Sequence, residues 1–89
     1  MKQKKLTIRY IDVLQGDFDK TIEEITTTFQ AEAKKDKNDF IVTFIGTEKE
    51  INKDTEYSYV QKLDHIFISN NMHKNEVETT IDDLENMNE

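Results

Sequence analysis

Between residues 5 and 13 (KLTIRYIDV) the apolar positions alternate. Leu6, Ile8 and Tyr10 fall on one face, and Lys5, Thr7 and Arg9 on the other. A period of two predicts a β-strand. The phase shifts at Ile11 and Val13, which predicts a bulge or strand end near residues 10–11. Gly16 and Asp17 supply a turn. Over residues 17–35 the period changes: Phe18, Ile22, Ile25 and Phe29 are spaced 4, 3 and 4, and Ala33 follows. That is one apolar stripe of an amphipathic helix. Thr21 and Glu24 fit a capping box, with Asp17 and Asp19 as rival caps. Lys34, Lys35 and Lys37 stand where the helix dipole favours positive charge.

Residues 39–45 (DFIVTFI) are apolar on both faces and end at Gly46. They predict a central strand, covered on two sides or at least well inside a sheet. Residues 47–55 are polar except for Ile51 and predict a loop. Residues 56–69 (EYSYVQKLDHIFIS) are rich in β-formers, with Tyr57, Tyr59, Leu63 and Phe67 of one parity and Val60, Ile66 and Ile68 of the other. They predict one long bent strand, or two broken near residues 62–64. A turn follows at residues 70–74. Asn75 can then cap a second helix with Glu78 at its third position, and Val77, Ile81 and Leu84 form a narrow seam that Met87 extends imperfectly.

The predicted order, β-α-β-β(-β)-α, implies an α+β two-layer sandwich with the first helix packed on a sheet of three or four strands. Eighty-nine residues hold one hydrophobic core, so the chain forms one domain. Residues 1–74 make its body. Residues 75–89 belong to the same domain or form a docking element.

Charge is distributed unevenly. The last fifteen residues carry six carboxylates (Glu76, Glu78, Asp82, Asp83, Glu85 and Glu89) and no Lys or Arg, whereas the preceding residues hold 12 basic and 13 acidic side chains. Six of the seven net negative charges therefore lie at one end. Such an end suits a protein partner or a basic surface and disfavours bare nucleic acid. Apolar and charged residues each make up 35% of the chain, so the core is small and a partner or second copy would add burial.

Chemistry-bearing motifs are scarce. Without cysteine there are no disulfides and no thiolate ligands or nucleophiles. The sequence shows no apolar leader segment and no apolar run of membrane-spanning length, so a cytoplasmic protein without membrane association is expected. Eleven Lys against one Arg, with ten Ile, fit an AT-rich genome such as that of a low-GC bacterium, its phages or mobile elements. His65 and His73 lack converging partners for a metal site. No Gly-rich phosphate loop is present, and neither Ser58 nor Ser69 lies in a nucleophile-elbow context. No enzymatic activity and no cofactor are expected.

The sequence thus predicts a small acidic interaction protein, an accessory, regulatory or inhibitory factor. Its partner-binding element is the C-terminal helix, with Val77, Ile81 and Leu84 as contacts and Glu76, Glu78, Asp82, Asp83 and Glu85 as their charged surround. One alternative is a nucleic-acid mimic that inhibits a DNA- or RNA-binding protein. Another is a sheet surface that binds single strands through Tyr57, Tyr59 and Phe67 beside Lys2, Lys4, Lys5, Arg9 and Lys62; the sequence pI of 4.8 opposes it. A homodimer is a further class.

Overall fold

Alternation at the N-terminus produces β1 (Gln3–Ile11), in which Leu6, Ile8 and Tyr10 are fully buried and the residues between them are not. No bulge interrupts it. Asp12 takes a left-handed conformation (φ 53°), and beyond it Val13 is buried and its N–H donates to Asn38 O. The computed structural model describes residues 2–84.

The 3.6-residue stripe gives α1 (Phe18–Phe29), capped by Asp17, whose carboxylate accepts from the Lys20 N–H. The helix is shorter than its pattern suggested. Gln30 turns left-handed (φ 54°), and Ala33, Lys34 and Lys35 join β2 (Glu32–Asp36) instead. A tight turn with Lys37 at φ 57° leads into β3 (Asp39–Thr47). β3 pairs with β2 on one side and β1 on the other, as expected of an interior strand. Phe40, Val42 and Phe44 are buried on the face that meets the helices, whereas on the opposite face Ile41 is 9% and Ile45 64% exposed.

Residues 53–69 are helical and form α2 (Lys53–Ser69), not the strand or strands expected of residues 56–69. Asn52 caps the helix, accepting from the Asp54 and Thr55 N–H groups, and the Thr55 hydroxyl accepts from the Asn52 N–H. Tyr59, Val60, Leu63, Ile66 and Phe67 follow helical spacing and meet the core. Helical packing therefore overrides the β-propensity of Tyr, Val, Ile and Phe. The acidic end is the second correction. It forms a strand, β4 (Glu76–Asp83), not a helix.

The four strands make one antiparallel sheet in the order β2-β3-β1-β4. With the element order β-α-β-β-α-β this is the split βαβ, or ferredoxin-like, topology. Both helices lie on one sheet face and the other is open. The α+β two-layer arrangement holds, and its fourth strand is the acidic segment itself. Gly16, at φ 132°, lets the β1–α1 connection pass Met72: a Cβ there would sit 2.9 Å from Met72 Cα.

Aromatic rings fill the core. Phe67 meets Tyr10 at 4.3 Å and Phe40 at 5.3 Å between centroids, and Tyr59 stacks on Phe44 at 4.2 Å. Burial, aided by the nearby Asp64 carboxylate, pushes the Tyr10 phenol pKa well above its ordinary value. A group whose folded pKa is raised contributes stability below its unfolded pKa and loses it above. Stability is thus expected to fall as pH climbs past about 10, with the Tyr10 tyrosinate absorbance appearing only with unfolding. Tyr10→Phe should flatten that alkaline limb, and denaturant titrations across pH 8 to 11 check it.

Candidate functional site

Among the described residues β4 forms one border of the sheet, next to β1. The register places Val77 opposite Tyr10, Thr79 opposite Ile8 and Ile81 opposite Leu6. Since these β1 residues face the helices, so do Val77, Thr79 and Ile81, and all three are half-buried. The intervening residues Glu76, Glu78, Thr80 and Asp82 are exposed on the open face. The sequence folds this way because Val77, Thr79, Thr80 and Ile81 are β-branched, and Val77, Thr79 and Ile81 alternate with the polar residues Glu78, Thr80 and Asp82.

Each acid of the strand meets a cation or a neutral neighbour on β1. Asp83 pairs with Lys4 at 2.5 Å, Asp82 stands opposite Lys5, and Glu78 opposite Arg9. The Lys4 ammonium holds the Asp83 carboxyl below the usual carboxylate range. Arg9 in turn binds Asp39 at 2.8 Å and Asp36 at 3.4 Å, so a charged belt runs from β4 across β1 and β3 to β2. Asp39 is held low, first by the Asp12 N–H donating to it and then by Arg9.

α2 lies above this border. The Thr79 hydroxyl donates to Glu56 at 2.6 Å, and Lys74 reaches Asp64 at 3.9 Å. The side of α2 bearing Glu56, Val60 and Asp64 therefore faces β4. At 100° per residue, Tyr57 and Ile68 fall just outside that row. They are 66% and 76% exposed.

Of the residues expected to bind a partner, Glu76, Val77, Glu78, Ile81, Asp82 and Asp83 come together on β4. They form a strand's two faces, with Val77 and Ile81 turned toward the helices and most acids toward the open face. Leu84 lies just past the strand, half-buried, its N–H donating to Gln3 O. Glu85 lies outside the described residues.

The expected aromatic sheet surface does not form. Tyr57, Tyr59 and Phe67 all stand on α2, where Phe67 is 1% exposed and Tyr59 packs on the core. The open face of β1 and β3 presents Lys5, Thr7, Arg9, Asp39, Thr43 and Ile45 around a buried Ile41, with no ring on which a base could stack. His65 is exposed on α2, not on a strand, and His73 is exposed in the connection to β4. Among the described residues no three His, Asp or Glu side chains gather to hold a metal. A shallow groove of about 630 Å³ between the helices, lined by Glu24, Phe29, Lys62 and His65 among others, brings together no such set. No helix among the described residues is long and apolar enough to cross a membrane.

Sequence reasoning missed α2, and with it Glu56 as a partner of Thr79 in the acidic segment. Asn52 followed by Thr55, with Leu63, Ile66 and Phe67 at helical spacing, was the signal that could have found it. In comparison with known proteins, the chain matches no family model, no curated protein and no solved structure.

Proposed function

We propose that this protein is a small non-enzymatic interaction factor, accessory, regulatory or inhibitory, that binds a protein partner through β4 and its acids. The observation that carries this reading is the placement of Glu76, Glu78, Asp82 and Asp83 on a strand whose outer side has no strand beside it among the described residues. Strand borders are recurrent protein-docking elements. The net charge of −7 speeds encounter with a basic partner and repels nucleic acid. The mimic reading has less support, because Thr80 interrupts the open-face row of carboxylates and Lys5 and Arg9 stand directly beside it.

Exchanging Glu76, Glu78 and Asp82 together for Gln, Gln and Asn tests the proposal. All three side chains are exposed, so the fold is expected to keep its stability within about 1 kcal/mol. Affinity for a protein captured from a host lysate should fall about tenfold or more. Undiminished capture by the neutralised chain would move the site elsewhere on the body.

A further inference from the structure

We infer that the outer side of β4 accepts an extended segment of the partner as a fifth strand, one that alternates basic and apolar residues. This deepens the reading above and rests on it.

The backbone supplies the first argument. The Leu84 N–H donates to Gln3 O, and with the register this fixes the phase of the ladder. Successive residues of an antiparallel strand aim their N–H and C=O groups to opposite sides. Glu78, Thr80 and Asp82 therefore direct theirs to β1, and Val77, Thr79, Ile81 and Asp83 direct theirs outward. Those outward groups are a template for main-chain pairing.

Side chains then set what the added strand must carry. On the helix side it would lie beside Val77 and Ile81, which remain half-buried inside the fold. Tyr57 and Ile68 of α2 are exposed, and helical spacing sets them beside the Glu56–Val60–Asp64 row, whose Glu56 meets Thr79 of β4. Apolar residues fit there. On the open face it would lie beside Glu76, Glu78 and Asp82, where Lys or Arg fit.

The protein already contains such a strand. β1 pairs with the inner side of β4, presenting Lys5 opposite Asp82 and Arg9 opposite Glu78 on one face and Leu6, Ile8 and Tyr10 on the other. The outer side repeats the same demand. A second copy's β4 fits poorly, because antiparallel pairing would bring carboxylates against carboxylates.

The experiment titrates an end-capped peptide with the sequence of β1, Gln3–Ile11, into the isotopically labelled full chain, with amide exchange read residue by residue. Saturable binding is expected, with new protection at the Val77, Thr79, Ile81 and Asp83 amides. Affinity should fall about tenfold between ~0.05 M and ~0.5 M salt. A peptide with Glu in place of Lys4, Lys5 and Arg9 should not bind. Four outcomes would overturn the inference: no saturable binding, equal binding of the acidic peptide, protection confined to the open face or the helix groove, or loss of protection along β1 through strand exchange. A doubled mass of the free protein with those four amides already protected would also overturn it, since a second copy would hold the edge. If the peptide fails while neutralising the β4 acids still abolishes lysate capture, the strand-addition inference falls and the β4 reading stands. If both fail, the reading falls too.

Discussion

Ending the chain after Lys74 is expected to abolish folding, not to trim a tail. Lys4 through Ile11 of β1 pair with Asp83 through Glu76 of β4, and truncation removes every one of those backbone partners. It also removes Val77 and Ile81 from the core periphery and leaves Glu56, which accepts from Thr79, without that bond. β1 would become a sheet border while carrying Leu6, Ile8 and Tyr10, the centre of the core. A domain of this size has about 5–10 kcal/mol of stability in total. Losing a strand's ladder together with two apolar side chains exceeds that reserve. Circular dichroism and thermal melts of residues 1–74 should show no cooperative transition. A truncated chain that melts like the full one would mean that the acidic segment is detachable. The expected collapse also makes this truncation useless as a binding control, whereas charge neutralisation within β4 leaves the sheet intact.

The second large effect belongs to Phe67. Its ring is 1% exposed and lies between Tyr10 of β1 and Phe40 of β3, at 4.3 and 5.3 Å between centroids. It thus joins α2 to both central strands. Phe67→Ala removes the ring's transfer free energy and leaves a cavity that neighbouring rings can fill only in part. Such changes cost about 3–5 kcal/mol. Denaturant unfolding should show about 3–5 kcal/mol of stability lost, with the slope little changed. A loss below about 1 kcal/mol would contradict the placement of Phe67, since exposed positions show effects of that size. This substitution separates the helical from the extended form of residues 56–69 less directly than it tests burial. In either form Phe67 has an apolar side, but only α2 brings it onto Tyr10 and Phe40 together.

The legible parts of the fold were those where one period was unambiguous. β1 and α1 declared themselves through Leu6-Ile8-Tyr10 and Phe18-Ile22-Ile25-Phe29. The interior position of β3 followed from its two-sided apolar run. The α+β class followed from these three elements. The remaining assignments went wrong where two periods share positions. Val77 and Ile81 are four apart, a spacing that puts residues on one face of a helix and equally on one face of a strand. Leu84 tipped the choice toward a helix, while Thr79 and Thr80, β-branched and poor helix formers, pointed the other way. In α2 the rings and branched residues favoured a strand by composition, whereas Asn52, Thr55 and the Leu63-Ile66-Phe67 spacing specified a helix.

The candidate site was half legible for the same reason. Its charge was plain in the sequence, because six acids without a cation need no structure to be noticed. Its geometry was hidden. A strand sends Glu78 and Asp82 to the opposite face from Val77 and Ile81, whereas a helix would have set the acids around an apolar seam. The bond from Thr79 to Glu56 depends on α2 lying beside β4, which only long-range packing decides. Lys4, Lys5 and Arg9 likewise meet the acids only because β1 and β4 are adjacent in the sheet.

Residue-resolved amide exchange on the free full-length chain tests the central claim, that the acidic end is a border strand with one open side. The account predicts alternation: slow exchange at Glu78, Thr80 and Asp82, whose amides face β1, and fast exchange at Val77, Thr79, Ile81 and Asp83. Uniformly slow exchange from Val77 through Leu84, as in a helix, or uniformly fast exchange through the same residues, would contradict it.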